Sequence, residues 1–405
     1  MQLAPSAGRR GLTILLLINF FMYVGFFMVV PLISVVYVEQ LGFAAAIVGL
    51  ALGMRQLLQQ GITIVGGMLA DRFGVRLLIG LGVFIRAIGF VSLAYARTPA
   101  LLFLALFLSA MGGALFEAPS RAAMAALAPP EEQNRYYSLN GVIGGLGMTI
   151  GPLLGSLLLR INFQTVSLIA ASCFLIIAAL VLLLPAISVA QAQQGIGYGL
   201  GLAIRDRTFL IFTTMLMGYW FMWVQLVLSL PLAAERLTGS SDAVGLIYAL
   251  NAGLTVLFQY PVIQLAERHL RPLPMLIIGM LIMAIGLGAV AVATNLALLI
   301  GCVIIFTLGT LLATPTQQSI TANLADPRAL GSYFGISSLA LAIGGGLGNV
   351  AGGLLTDFAR RISQPALPWL TYGFIGVVSS VGLIMLATRL VQRQATAHLV
   401  TSAER

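Results

Sequence analysis

The chain is built from long apolar stretches separated by short polar interruptions, and this alternation continues from one end to the other. Twelve apolar runs lie near 12–38, 44–69, 77–96, 100–126, 136–159, 163–185, 208–234, 242–266, 272–293, 296–323, 330–356 and 366–389. Each matches a helix that crosses a hydrocarbon layer, which takes about 20 apolar residues. Membrane-spanning strands are excluded, because they need short segments of alternating polarity. A lipid core admits only helices or closed barrels, so the pattern predicts an all-α membrane protein with twelve transmembrane helices. The most polar interruption, 186–207, contains Gln191, Gln193, Gln194, Arg205, Asp206 and Arg207. It divides the runs into six and six: an N-terminal bundle over 1–185, a linker over 186–207, and a C-terminal bundle with a short tail over 208–405.

The two groups repeat each other. Phe21-Met22-Tyr23-Val24 matches Phe221-Met222-Trp223-Val224, and Pro31 matches Pro231 at the same offset of 200. Asp71-Arg72 matches Glu267-Arg268, and Pro119 matches Pro315, both at 196. Gly147, Gly151 and Gly155 match Gly344, Gly348 and Gly352 at 197. Four matches in order across one division predict two pseudo-symmetric six-helix bundles. Halves related by an axis along the membrane normal form a transporter architecture, with the substrate path between them.

Composition narrows the class further. Hydrophobic residues make up 60% of the 405 positions and charged residues only 8%, against about 25% in an average soluble domain. That excludes a soluble enzyme and a disordered chain. The formal charge is +9, but all 21 basic residues are Arg and they are scattered singly; no nucleic-acid partner is expected. Cys173 and Cys302 fall inside apolar runs as small packing residues. His269 and His398 fall in a loop and the tail, so no metal site is expected. An enzyme needs a convergent constellation, and no P-loop, His/Asp-rich motif or nucleophile–base pair is present.

Arginine placement sets the expected orientation. With the N-terminus inside, thirteen Arg fall on the cytoplasmic side and five outside (Arg97, Arg160, Arg236, Arg360 and Arg361). Both termini and the linker are therefore expected in the cytoplasm. Three Arg lie within spans: Arg55, Arg86 and Arg121. Glu117 is the acidic residue well inside a span. A charge at the bilayer centre costs at least ~2.5–3.5 kcal/mol, so these four require a reason. Glu117 is either a proton carrier or the static counter-charge of Arg121 or Arg86. Arg55, Gln56, Gln59 and Gln60 form a polar stripe expected to face a central cavity. The C-terminal spans offer amides in place of charges, among them Gln225, Asn251, Gln259, Gln317 and Gln318. That balance suits a substrate bearing a carboxylate or phosphate better than a simple lipophilic cation. Gly147, Gly151 and Gly155 share one helical face beside Pro152, which permits close approach of another helix and bends their own.

Two motifs carry a family resemblance. Gly67-Met68-Leu69-Ala70-Asp71-Arg72-Phe73-Gly74-Val75-Arg76 resembles the loop signature G-x-x-x-D-R-x-G-R-R of the major facilitator superfamily, with Val75 replacing one basic residue. Gly151-Pro152-Leu153-Leu154-Gly155 is similar to the fifth-helix G-P-x-x-G motif of that family's drug:proton antiporter branch. Leu52-Gly53-Met54-Arg55-Gln56, Gln59-Gln60-Gly61 and Leu115-Phe116-Glu117-Ala118-Pro119 look most like one group of multidrug transporters within it. The chain departs from the branch in its fourth helix. Leu108 stands where an Arg is usual, and Ala126 and Ala128 stand where an Asp is common.

The resemblance implies a monomeric secondary transporter of the bacterial inner membrane, exporting amphipathic small molecules against protons by alternating access. An exporter or facilitator of a narrower organic anion, siderophore or lysolipid is the other reading. No cofactor is implied; the remaining partners are membrane lipids. The resemblance also implies roles. Gly67, Asp71, Arg72, Gly74 and Arg76 would form a conformational latch between the halves. Glu117, Arg121 and Arg86 are the candidates for proton coupling. In the family fold helices 1 and 7 line the cavity, which adds Tyr23, Phe27 and Trp223 to Arg55, Gln56, Gln59, Gln225, Asn251 and Gln317 as candidate substrate contacts. Gly147, Gly151, Pro152 and Gly155 would be the helix-packing motif.

Overall fold

The computed structural model describes residues 5–129, 133–185, 196–326 and 329–403, and every regular element among them is helical. In the N-terminal half, α1 (Pro5–Ser34) continues directly into a π-helical segment, Val35–Gln40. It is followed by α2 (Ala45–Phe73), α3 (Val75–Ala94), α4 (Pro99–Leu127), α5 (Gln133–Leu159) and α6 (Phe163–Leu182). A short helix, α7 (Ile196–Arg205), lies within the polar interruption between the halves. The seventh crossing is broken: α8 (Arg207–Trp223) passes through a 3₁₀ turn, Val224–Leu226, into α9 (Ser229–Thr238). Then come α10 (Asp242–His269), α11 (Pro272–Ala289) and α12 (Leu296–Leu324). The eleventh crossing joins α13 (Leu330–Ala340) to α14 (Gly346–Arg361) through π-helical Leu341–Gly345, and α15 (Leu367–Ala403) is the last. Eleven stretches of the described residues are long and apolar enough to cross a membrane. The 29-residue α2 supplies the twelfth crossing.

Local sequence explains where these helices begin. The side chains of Thr98, Asn162, Asp206 and Asn295 each accept a hydrogen bond from the backbone N–H three residues on, which satisfies a donor that a helix start otherwise leaves orphaned. Thr98 and Asn295 cap α4 and α12, which are equivalent helices 197 residues apart. Gly74 sits at φ 89 between α2 and α3, a left-handed conformation that side chains resist.

The halves are built alike at close range. A Cβ on Gly82 of α3 would lie 2.7 Å from the Gly112 carbonyl oxygen of α4. On Gly279 of α11 it would lie 2.9 Å from the Gly309 carbonyl oxygen of α12, so the same contact recurs 197 residues on. Gly147, Gly151 and Gly155 bring α5 against Tyr23, Val24 and Met28 of α1. Gly344, Gly348 and Gly352 bring the eleventh crossing against Met217, Phe221 and Gln225 of the seventh. These contacts correct the repeat register in the first helix. Val24 is equivalent to Phe221 and Met28 to Gln225, at 197, so the textual match at 200 slips by about one helical turn. Aromatic and apolar residues recur every three to four positions, and such a slip leaves the pattern looking intact.

Among the described residues, the two bundles pack on each other mainly toward one end. There α2 packs on α14, and α5 packs on α10. Glu39 receives Arg236 at 2.9 Å and Arg360 at 2.6 Å, and Arg160 pairs with Asp242 at 2.8 Å. The hydrogen bond to Asp242 pushes the exposed Arg160 guanidinium above its ordinary pKa. Ala45 and Ala46 at the start of α2 donate their N–H groups to the carboxylate of Asp357 in α14, at 3.0 and 2.8 Å. These cross-bundle bonds all lie at this end, and Arg72, Arg76, Arg268 and Arg271 lie at the other.

Candidate functional site

Between the bundles lies a cavity of about 450 Å³, lined from both halves. The N-terminal half contributes nearly all its polar groups: Asn19, Tyr23, Arg55, Gln56, Gln59, Gln60, Arg86, Glu117, Ser120, Arg121 and Asn140. The C-terminal half contributes Trp220, Trp223, Val224, Val227 and Leu341, with Asn349. One wall is therefore charged and the other aromatic and apolar.

The charged wall is ordered by hydrogen bonds along α2. Arg55 Nη1 donates to Gln59 Oε1 at 2.9 Å, and Nη2 donates to Gln56 Oε1 at 3.1 Å. Gln59 Nε2 then reaches Glu117 Oε2 at 3.5 Å. Glu117 Oε1 accepts from Arg121 Nη2 at 2.5 Å, one turn further along α4. This settles the counter-charge between the two expected candidates: Glu117 pairs with Arg121 and not with Arg86. Arg121 is 73% exposed at its side chain and Glu117 26%, so the pair stands in a wet part of the cavity.

Arg55 and Arg86 are different. They are only 7% and 4% exposed, and no carboxylate among the described residues comes within 4.0 Å of either guanidinium. Arg86 Nη1 touches the Met22 sulfur at 3.3 Å. The Nε atoms of both Arg are buried without a hydrogen-bond partner. Both face the Phe26 ring, its centroid 5.0 Å from Arg55 Cζ and 4.6 Å from Arg86 Cζ. Phe174 stands 5.6 Å from Arg86 on another side.

Other expected residues divide. Tyr23, Phe27 and Trp223 line the cavity, and Tyr23 stacks on Phe27 with ring centroids 6.3 Å apart. Gln225, Asn251 and Gln317 were expected there and do not line it. Gln225 is fully buried, donating to the Phe221 and Gly348 carbonyls and accepting from Ser229. Asn251 donates to Thr307 at 3.0 Å, and Gln317 is buried in α12. Gln225 and Asn251 thus join helices within the C-terminal bundle. In the latch sequence, Gly67 and the Asp71 side chain lie outside the described residues. Arg72 covers the Phe73 ring, and Arg76 donates to the Leu182 carbonyl, a contact inside the N-terminal bundle. Sequence reading missed Asn19, Ser120 and Asn140, which form one chain of hydrogen bonds in the cavity wall. Lone amides inside apolar runs were the available signal. Asp357 was missed too, since it falls one residue beyond the expected end of its run.

The site is thus a cavity between twin bundles, holding a carboxylate paired with an exposed Arg and two buried guanidinium groups. The family model described as Major Facilitator Superfamily matches residues 15–237 and 208–405. The multidrug resistance protein MdtH of Yersinia enterocolitica is 41% identical over 384 residues, covering 95% of this chain and 96% of that protein. Its namesake in Aeromonas hydrophila is 41% identical over 384 residues, covering 94% and 96%. Among solved structures, a POT family transporter in complex with 5-aminolevulinic acid superposes with a TM-score of 0.79 at 15% identity, covering 94% of this chain and 96% of that one. The nucleoside transporter NupG gives 0.78 at 15% identity, covering 93% and 98%. These two likenesses concern the fold. Repeat, cavity and relatives agree, and the chain belongs to the Major Facilitator Superfamily.

Proposed function

We propose that the chain is a secondary active exporter of amphipathic small molecules, exchanging them for protons across a bacterial inner membrane by alternating access. The observation that carries this reading is the cavity itself, sealed at one end by cross-bundle contacts, with Glu117 in its wall. The relatives' name, multidrug resistance protein, supports a broad substrate range. The excess of Arg at the unsealed end supports a cavity facing the cytoplasm, with both termini on that side.

In the proposed cycle an amphiphile enters from the cytoplasm and lies between the charged wall and Trp220 and Trp223. The halves then rock. Contacts of Glu39, Arg160 and Asp357 break at one end, and the segment Gly67–Arg76 closes the other. Glu117, now reached from outside, takes up a proton. Its partner Arg121 is solvent-exposed, so water can replace the guanidinium when the pair opens. Return of the halves delivers that proton to the cytoplasm.

The test is Glu117→Gln in proteoliposomes. Flux driven by a pH gradient is expected to vanish, while substrate exchange at equal pH on both sides persists. Gradient-driven flux at the unaltered rate would end Glu117's part in the cycle.

A further inference from the structure

We infer that Arg55, Phe26 and Arg86 form an anion subsite in the cavity, and that it takes the carboxylate, or an equivalent monovalent anion, of a bound amphiphile. The inference rests on the proposed transport reading and narrows its substrate class.

Three observations converge. Two guanidinium groups are buried against one aromatic ring, Phe26, with no carboxylate among the described residues paired to either. Each also retains an Nε–H with no acceptor. The nearby acid, Glu117, is engaged by Arg121 and Gln59. The attraction of a cation to one aromatic face is smaller than the cost of burying two like charges in a span. The wall therefore holds an unmet demand for negative charge, and it opens on a space large enough for a small amphiphile. Arg guanidinium forks match carboxylate geometry. Gln56 and Gln59 accept from Arg55 and fix one side of its fork, leaving Nε unpaired. Across the cavity, Trp220 and Trp223 offer an apolar face to the rest of the molecule.

The same tryptophans report occupancy. Purified protein is titrated with 4-nitrobenzoate, 4-nitrobenzamide and 4-nitrobenzylammonium, which share a quenching ring and differ in charge, with Trp fluorescence as the readout. The carboxylate is expected to bind at least about tenfold tighter than the amide, and the ammonium weakest. Arg55→Gln and Arg86→Gln are each expected to remove that preference while leaving amide affinity within about twofold. Arg86→Lys, which keeps the charge, is expected to restore part of it. Chloride at constant ionic strength separates two sources of the anion. Competition with nitrobenzoate that disappears in the Gln variants identifies an inorganic resting occupant exchanged for substrate. Absence of competition reserves the subsite for the substrate's own carboxylate. Equal binding of carboxylate and amide in the unaltered protein overturns the subsite alone, whereas failure of all three probes to quench overturns the cavity reading beneath it. A Gln variant that loses carboxylate and amide equally also overturns the subsite.

Discussion

At the residue scale, the charges in the spans are compensated in two ways: Glu117 by Arg121, and Arg55 and Arg86 in part by the Phe26 ring. Glu117, Arg55 and Arg86 stand out because an ionisable group in an apolar run demands compensation. Nothing in the linear pattern shows that Phe26 serves two Arg from different helices, since run 1 offers five aromatic rings of similar standing. Gln225, Asn251 and Gln317 misled for the opposite reason. An amide in a span satisfies itself equally well against a neighbouring helix, and Gln225 and Asn251 join helices of one bundle. Small residues make a sharper case. Gly82 and Gly112 meet backbone to backbone, whereas a Cβ on Gly141 would meet nothing within 4 Å. Gly82→Val is expected to force α3 from α4 and lower the midpoint of thermal unfolding, since overpacking costs about 1–3 kcal/mol. Gly141→Ala is expected to leave it unchanged. Thermal unfolding in detergent compares them, and equal midpoints would show that the α3–α4 contact yields without cost.

At the scale of elements, the sealed end uses one construction with two chemistries. α2 and α10 are equivalent helices that both begin at this seam. At α10 the first-turn acid, Asp242, pairs with Arg160. At α2 no side chain of its own caps the start, and Asp357 of the other bundle accepts from Ala45 and Ala46. A carboxylate at a helix N-terminus also meets the positive end of the helix dipole. Because this cap crosses the seam, it stabilises the sealed arrangement rather than one bundle. Losing a cap of this kind costs about 0.5–2 kcal/mol, or about a 2- to 30-fold shift in population. Asp357→Ala is therefore expected to raise the rate at which maleimide labels a cysteine at Ser156, a residue buried against Gly245. Cys173 and Cys302 are replaced beforehand. An unchanged labelling rate would show that the cap does not hold the seam. Nothing in the linear pattern announces this device, because helix starts and their cross-bundle neighbours are far apart in the chain.

At the scale of the molecule, the twelve crossings and their six-and-six division were readable because hydrophobic length is imposed by the bilayer and repeats leave glycines and prolines in register. The first-helix register slipped by a turn, and the sealed and open ends were invisible, since both depend on how two rigid bodies lean. Twin bundles joined at a single seam are bistable by construction: opening one end closes the other. The most direct test places spin labels at Leu139 on α5 and Tyr260 on α10, both exposed toward the unsealed end, and measures their separation by pulsed electron resonance. Two distance populations are expected, and their ratio should change on adding substrate or on Glu117→Gln. A single distribution, unmoved by either in a protein that still transports, would contradict alternating access.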